Sequence, residues 1–174
     1  MDSPTHGIVA FETALGTCAI RWTAAGIASV RLPSARTDTL PRSSDVAVPD
    51  LVRRAIDGIV AVLDGRSADL RFVRLDDRSI DEFRRSVYAA TRTIPPGAIA
   101  TYGEVARMIG DAGAARDVGA ALARNPFPIV VPCHRVIGAN GKLTGFSAPG
   151  GLATKRRMLE IEGAPGYGQQ ALFG

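Results

Sequence analysis

The sequence predicts an α+β fold in two parts: a small N-terminal antiparallel sheet with one helix, then a mainly helical, winged helix-turn-helix-like C-terminal part. Three observations carry this. Short alternating apolar stretches separated by turn residues fill Gly7 to Leu32. After Ser79 they give way to apolar residues at helical spacing, with start signals ahead of them. Charge divides at the same place: residues 1–78 hold ten Arg against ten Asp or Glu, whereas residues 79–174 hold eleven Lys or Arg against seven acids, so the net +4 lies wholly in the second half. The expected domains are 1–78, an α+β unit of supporting role, and 79–174, which carries the chemistry.

The first half reads as follows. Ile8–Phe11, Cys18–Trp22 and Ile27–Leu32 are strands of a meander, with Gly16-Thr17 and Ala24-Ala25-Gly26 as turns. Residues 33–49, rich in Pro, Ser and Arg, have no periodicity and are expected as a surface loop. Asp50 is the expected N-cap of a helix over Leu51 to Leu63, its inner face formed by Val52, Ala55, Ile56, Ile59, Val60 and Leu63. Leu70–Val73 is expected to add a last strand to the meander.

In the second half, Ser79 and Glu82 have the spacing of a capping box, and Phe83, Val87, Ala90 and Ile94 share a helical face that Pro95-Pro96-Gly97 ends. Thr101 and Glu104 repeat the pattern ahead of a short helix through Ile109. A Gly110–Gly113 turn leads to a helix over Ala114–Arg124, and two short helices about such a turn suggest a helix-turn-helix. Val136–Thr144, with Asn140-Gly141 at its tip, reads as a hairpin wing.

Composition excludes several classes. At 46% hydrophobic and 22% charged the chain is ordinary globular material, with no apolar run near the ~20 residues of a membrane span. Met1–Pro4 lacks the basic and apolar regions of a signal peptide, so a cytoplasmic protein is expected. Two cysteines, Cys18 and Cys133, are too few for a disulfide framework, and two histidines give no four-ligand zinc set. No metal and no cofactor are expected. The basic second half suits a polyanion.

The stretch Asn125 to Val136 concentrates the chemistry. Three prolines stiffen it, an apolar run buries it, and Cys133 is followed at once by His134 and Arg135. A thiol attacks as thiolate, and its ordinary pKa of about 8.5 falls beside a cation, an imidazole or a helix N-terminus. His134, Arg135 and the turn after Pro132 are expected to lower it. A lone Cys in an apolar run is otherwise a small buried hydrophobe, the role expected for Cys18.

Asn125-Pro126, Pro132 to Gly138, Gly141 to Phe146, and Gly150-Gly151-Leu152 with Lys155 together resemble the active-site signature of the O6-alkylguanine-DNA alkyltransferases, the methylated-DNA-protein-cysteine methyltransferases. The resemblance runs from Ser79 to Glu162. It implies a DNA repair protein that flips a damaged base and takes an alkyl group irreversibly from O6 of guanine, and from O4 of thymine, onto its own cysteine. Cys133 would be the nucleophile, with His134 as base through a water and Glu162 orienting the imidazole. Tyr102 would donate to the base and support the leaving guanine. Arg116 would fill the vacated stack. The DNA-binding set is Arg116, Tyr102, Ala114, Ala115, Ala121 and Arg135, the small residues allowing close approach. Asn125, Val136, Phe146, Ser147 and Lys155 would form the substrate pocket and active-site loop, Asn125 bracing the turn after the recognition helix. Phe146 stands where many members have tyrosine, which keeps an aromatic wall without a hydroxyl. The expected partner is alkylated double-stranded DNA, bound by a monomer with no membrane attachment.

Two rival classes stand beside this one. A thiol protease or acyltransferase needs a histidine from elsewhere in the chain, and only His6 is offered. A non-catalytic winged-helix binder of damaged DNA needs Cys133 to be inert.

Overall fold

A computed structural model describes residues 4–168, which form two compact units. The first comprises the described residues up to Ser79 together with Pro126–Val130; the second comprises Ile80–Asn125 and the described residues from Val131 onward. The fold is α+β, and among the described residues it has a small three-stranded antiparallel sheet and five α-helices.

In the first unit, β1 (Gly7–Thr13), β2 (Gly16–Thr23) and β3 (Gly26–Arg31) form the expected meander, β1 pairing with β2 from Gly7 opposite Trp22 to Thr13 opposite Gly16, and β2 with β3 around a bulge at Arg21/Trp22. Helix α1 (Asp50–Leu63) packs on β1 and β2. Pro49, not Asp50, is its N-cap: the Pro49 carbonyl accepts from Arg53 N (3.0 Å), leaving Asp50 in the first turn, where an acid complements the helix dipole. Its buried face holds Val62 in place of Val60.

Two segments differ from expectation. Residues 33–49 are more than a surface loop: Thr37 and Val48 are buried, and Pro41–Ser43 runs along the outer edge of β1, with Ala10 N donating to Pro41 O (2.8 Å) and Ser43 N to Ala10 O (2.9 Å). Leu70–Val73 is a turn and not a strand. The Asp69 carboxylate accepts Arg71 N (2.9 Å) and offers the backbone a local partner that competes with a ladder. The β3 edge is met later, by Leu75, through a parallel bridge to Ile27. Both sheet edges are thereby occupied.

In the second unit, α2 (Glu82–Thr91) starts at Asp81, whose carboxylate accepts Arg84 N (2.9 Å). The predicted Ser79–Glu82 box is displaced because an ionised acceptor two residues nearer takes the cap and also binds Arg84 Nε (2.7 Å). The Thr101–Glu104 box forms as expected and opens α3 (Tyr102–Met108), with Glu104 N to Thr101 Oγ1 at 3.1 Å and Thr101 N to Glu104 Oε2 at 2.6 Å. Helix α4 (Ala115–Ala123) packs on α2 and α3, with Val118 and Leu122 buried.

The wing lacks a second strand of its own. Strand β5 (Val136–Ile137) pairs in parallel with β4 (Ala100–Thr101), and Gly138–Lys142 closes a tight turn through Gly138 N to Lys142 O (2.9 Å). Helix α5 (Gly151–Ile161) follows, and Ile137, Leu159 and Ala164 form a small core beneath it with Ile99, Leu143 and Tyr167.

Candidate active site

The approach to Cys133 is built from the end of α4. Asn125 N donates to Leu122 O (3.1 Å) and its side chain to Val131 O (2.9 Å), so one residue ends the helix and ties down the next segment. Pro132 (φ −79°, ψ 65°) makes an inverse γ-turn, closed by Cys133 N to Val131 O at 2.8 Å. Cys133–Arg135 then forms one 3₁₀ turn. Ile129, earlier in the approach, holds φ +74°, a conformation a β-branched residue rarely adopts.

Cys133 is 8% exposed. Burial pushes its thiol up, against the expectation that its neighbours would lower it. The opposing influences come from the Asn125 side chain, which hydrogen-bonds the sulfur, and from the Lys155 charge. His134 and Arg135 are turned elsewhere. At rest the group is a protonated thiol.

His134 is fully buried, and its Nε2 lies 2.8 Å from Glu162 Oε1. With the ring neutral, Nε2 carries the proton and donates it to the carboxylate, an assignment made from the network. Nδ1 is buried with no hydrogen-bond partner, so its lone pair is free. Burial lowers the histidine, and the Arg135 and Lys155 charges add to this while Glu162 opposes it. Burial alone would raise the Glu162 carboxyl, but the hydrogen bonds from His134 and Arg135 and the Arg135 charge hold it down, to about 2. The arrangement is an ionised Glu162, a cationic Arg135 and a neutral His134.

Arg135 does not reach a DNA-facing surface, as had been expected of it. It is 5% exposed, its Nε donates to both Glu162 oxygens (3.0 and 3.2 Å), its Nη2 to Oε1 (2.7 Å), and its Nη1 to Ile94 O (2.7 Å). Ala114 and Ala121, also expected against DNA, are buried; Ala121 O accepts the Tyr88 hydroxyl at 2.9 Å. Helical phase turns them inward beside Val118 and Leu122. Arg116 is exposed in the first turn of α4 and Ala115 half-buried, so these two do present themselves on the helix.

Lys155 is 1% exposed, with Nζ donating to Val136 O (2.6 Å) and Thr144 O (3.0 Å). Burial brings its ammonium down to about 8, and the Cys133 sulfur acts in the opposite sense. The Tyr102 hydroxyl donates to the same Thr144 oxygen at 3.0 Å, and burial raises its phenol. The loop from Thr144 to Gly150 is held by Ser147 Oγ, which donates to Ala123 O on α4 (2.7 Å), and by Thr154 Oγ1 on Pro149 O (2.9 Å); Phe146 is half-buried within it. Thus Asn125, Cys133, His134, Val136, Lys155 and Glu162 converge, Tyr102 joins them through Thr144, and Ser147 links the loop to α4. Sequence reasoning missed Tyr88 and the carbonyls of Ile94, Thr144 and Val131. A carbonyl leaves no trace in a sequence, and Tyr88 stands outside the apolar face read for its helix. Among the described residues no cluster of three or more His, Cys, Asp or Glu could hold a metal ion.

A family model described as 6-O-methylguanine DNA methyltransferase, DNA binding domain, matches residues 82–164. The methylated-DNA–protein-cysteine methyltransferase of Mycobacterium tuberculosis (H37Rv) is 45% identical over 125 residues, 72% of this chain and 73% of the relative. That of Methanothermobacter thermautotrophicus is 40% identical over 127 residues, 73% of this chain and 70% of the relative. The crystal structure of Mycobacterium tuberculosis O6-methylguanine methyltransferase superposes with a TM-score of 0.72 at 34% identity, covering 97% of this chain and 99% of that one. The same organism's OGT in complex with DNA gives 0.71 at 36%, covering 91% and 94%.

The Glu162 geometry has a consequence for acid stability. A carboxyl at about 2 when folded and 4.5 as its reference value stabilises the fold fully above pH 4.5, and that contribution is lost as pH falls toward 2. Urea denaturation across that window should show Glu162→Gln with a shallower fall than the parent, whatever its absolute stability. Equal slopes would mean that Glu162 is not the group titrating.

Proposed function

The chain belongs to the methylated-DNA–protein-cysteine methyltransferase family, and from that premise we propose that it repairs alkylated DNA by taking an alkyl group from O6 of guanine onto Cys133, once per molecule. O4 of thymine offers the same alkyl–oxygen bond to the thiol. The observation that carries this reading is a buried protonated thiol followed directly by a buried neutral imidazole whose Nδ1 is free and whose Nε2 is held by Glu162.

The steps follow from the groups present. A guanine stacked in a duplex cannot bring O6 to a buried sulfur, so the base must be flipped, at a cost of a few kcal/mol. Arg116, exposed at the start of α4, would fill the gap. The thiol proton passes to His134 Nδ1 through an intervening water, and Glu162 stabilises the imidazolium that forms. The Lys155 charge favours the sulfur anion. Sulfur attacks the alkyl carbon, the carbon–O6 bond breaks with its electron pair left on oxygen, and the proton held by His134 returns to the guanine through solvent.

Tyr102 fits the leaving base. Its hydroxyl shares Thr144 O with Lys155, so it can turn to the guanine ring while Lys155 keeps that carbonyl satisfied. Backbone amides near Ser147 would support O6, and Phe146 the face of the base. The thioether product has no carbonyl for water to attack, so transfer ends after one event.

Cys133→Ser should abolish transfer from duplex DNA containing O6-methylguanine while retaining affinity for it, measured by radiolabelled methyl transfer and gel shift. Retained transfer would refute the assignment of the nucleophile. Arg116→Ala should slow repair of duplex roughly tenfold or more, and transfer from free O6-methylguanine far less, since only the duplex has a stack to fill. Equal losses on both substrates would exclude that role.

A further inference from the structure

Arg135 belongs to the buried cluster, and the mechanism gives it no part. Its guanidinium grips both oxygens of Glu162 and touches no atom on the path from Cys133 to the base. A buried histidine hydrogen-bonded to a lone carboxylate is drawn toward imidazolium, because the pair then becomes an ion pair. An imidazolium has no lone pair at Nδ1 and cannot take the thiol proton. We infer that Arg135 is a positioning residue: by supplying the cation that Glu162 requires, it leaves His134 uncharged, with a proton on Nε2 and a free Nδ1 toward the reaction.

The geometry supports a charge role beyond simple packing. Arg135 and Glu162 side chains are 6% and 2% exposed, so solvent screens neither, and the fork fixes the carboxylate so that one oxygen also reaches His134 Nε2 at 2.8 Å. The charged groups acting on the ring are Glu162 at the end of α5, Lys155 within α5, and Arg135 in its own 3₁₀ turn. Of these only Glu162 favours a charged ring, and Arg135 sits directly on it. The Nη1 bond to Ile94 O anchors the guanidinium independently of the carboxylate, so the cation stays in place while the ring gains and loses a proton.

The inference rests on the alkyl-transfer reading of Cys133, and its test separates the two. The ring nitrogens of His134 are followed by NMR against pH in the full chain, in parallel with the pH dependence of methyl transfer. In the parent, His134 should be neutral at pH 7 as the Nε2–H tautomer. Arg135→Met should raise its titration by about one pH unit or more, and the acid limb of the transfer rate should move up with it, since the base is lost over a wider range. Arg135→Lys, which keeps the cation, should restore both toward the parent. Removing one partner of a buried ion pair can prevent folding, so a second comparison uses Glu162→Gln with and without Arg135→Met. The single variant should titrate lower than the parent, and adding Arg135→Met should bring it back up. A ring already cationic at pH 7 in the parent would overturn the inference. So would an unmoved titration in Arg135→Met, or identical titrations in the last pair. A parent that transfers no methyl to Cys133 would instead refute the proposed function, and the NMR result would still be read on its own.

Discussion

One buried carboxylate organises the site. Glu162 lies at the end of α5 with its side chain 2% exposed, and an ion so far from water is tolerated only where hydrogen bonds and opposite charge replace its hydration. Arg135 provides the charge and His134 a further donor, both from the 3₁₀ turn that begins at Cys133. Satisfying Glu162 therefore fixes the turn, and the turn fixes the sulfur. The helix end, the imidazole and the thiol cannot be placed independently.

The same burial decides the chemistry. A thiol out of water resists ionisation, and here the Asn125 side chain and the Lys155 charge oppose that resistance. Such a sulfur is protected from adventitious oxidation, which favours the thiolate. Cys18 has other neighbours: packed in β2, its thiol is pushed up to about 11 by burial, with the Thr13 hydroxyl opposing and the Glu12 charge adding to the rise. The two cysteines differ in neighbours, not in exposure.

Much of this was legible in the residues. The alternation of β1 to β3 and the Thr101–Glu104 box are local patterns, and each formed as read. The readings that failed depended on distance or phase. Asp81 outcompeted Ser79 for a helix end because a charged acceptor stood nearer. Val136 paired with Ala100 in place of its own hairpin partner. Ala114 and Ala121 were taken for a surface, although a helix that packs on α2 and α3 must turn some of its alanines inward. Arg135 looked like a DNA contact because an arginine beside a reactive cysteine in a basic half of the chain carries no local sign of a carboxylate twenty-seven residues further on. Lys155 gave equally little notice: its two acceptors are backbone carbonyls on other segments.

The central claim is that Cys133, and no other group, accepts one alkyl group and keeps it. Intact-protein mass measurement with peptide mapping, after mixing the chain with an excess of duplex DNA containing O6-methylguanine, tests it most directly. The account predicts a single added methyl, located on the peptide containing Cys133, and repair that stops at one equivalent of DNA per protein. A methyl on Cys18, or repair continuing beyond one equivalent with the protein mass unchanged, would contradict it.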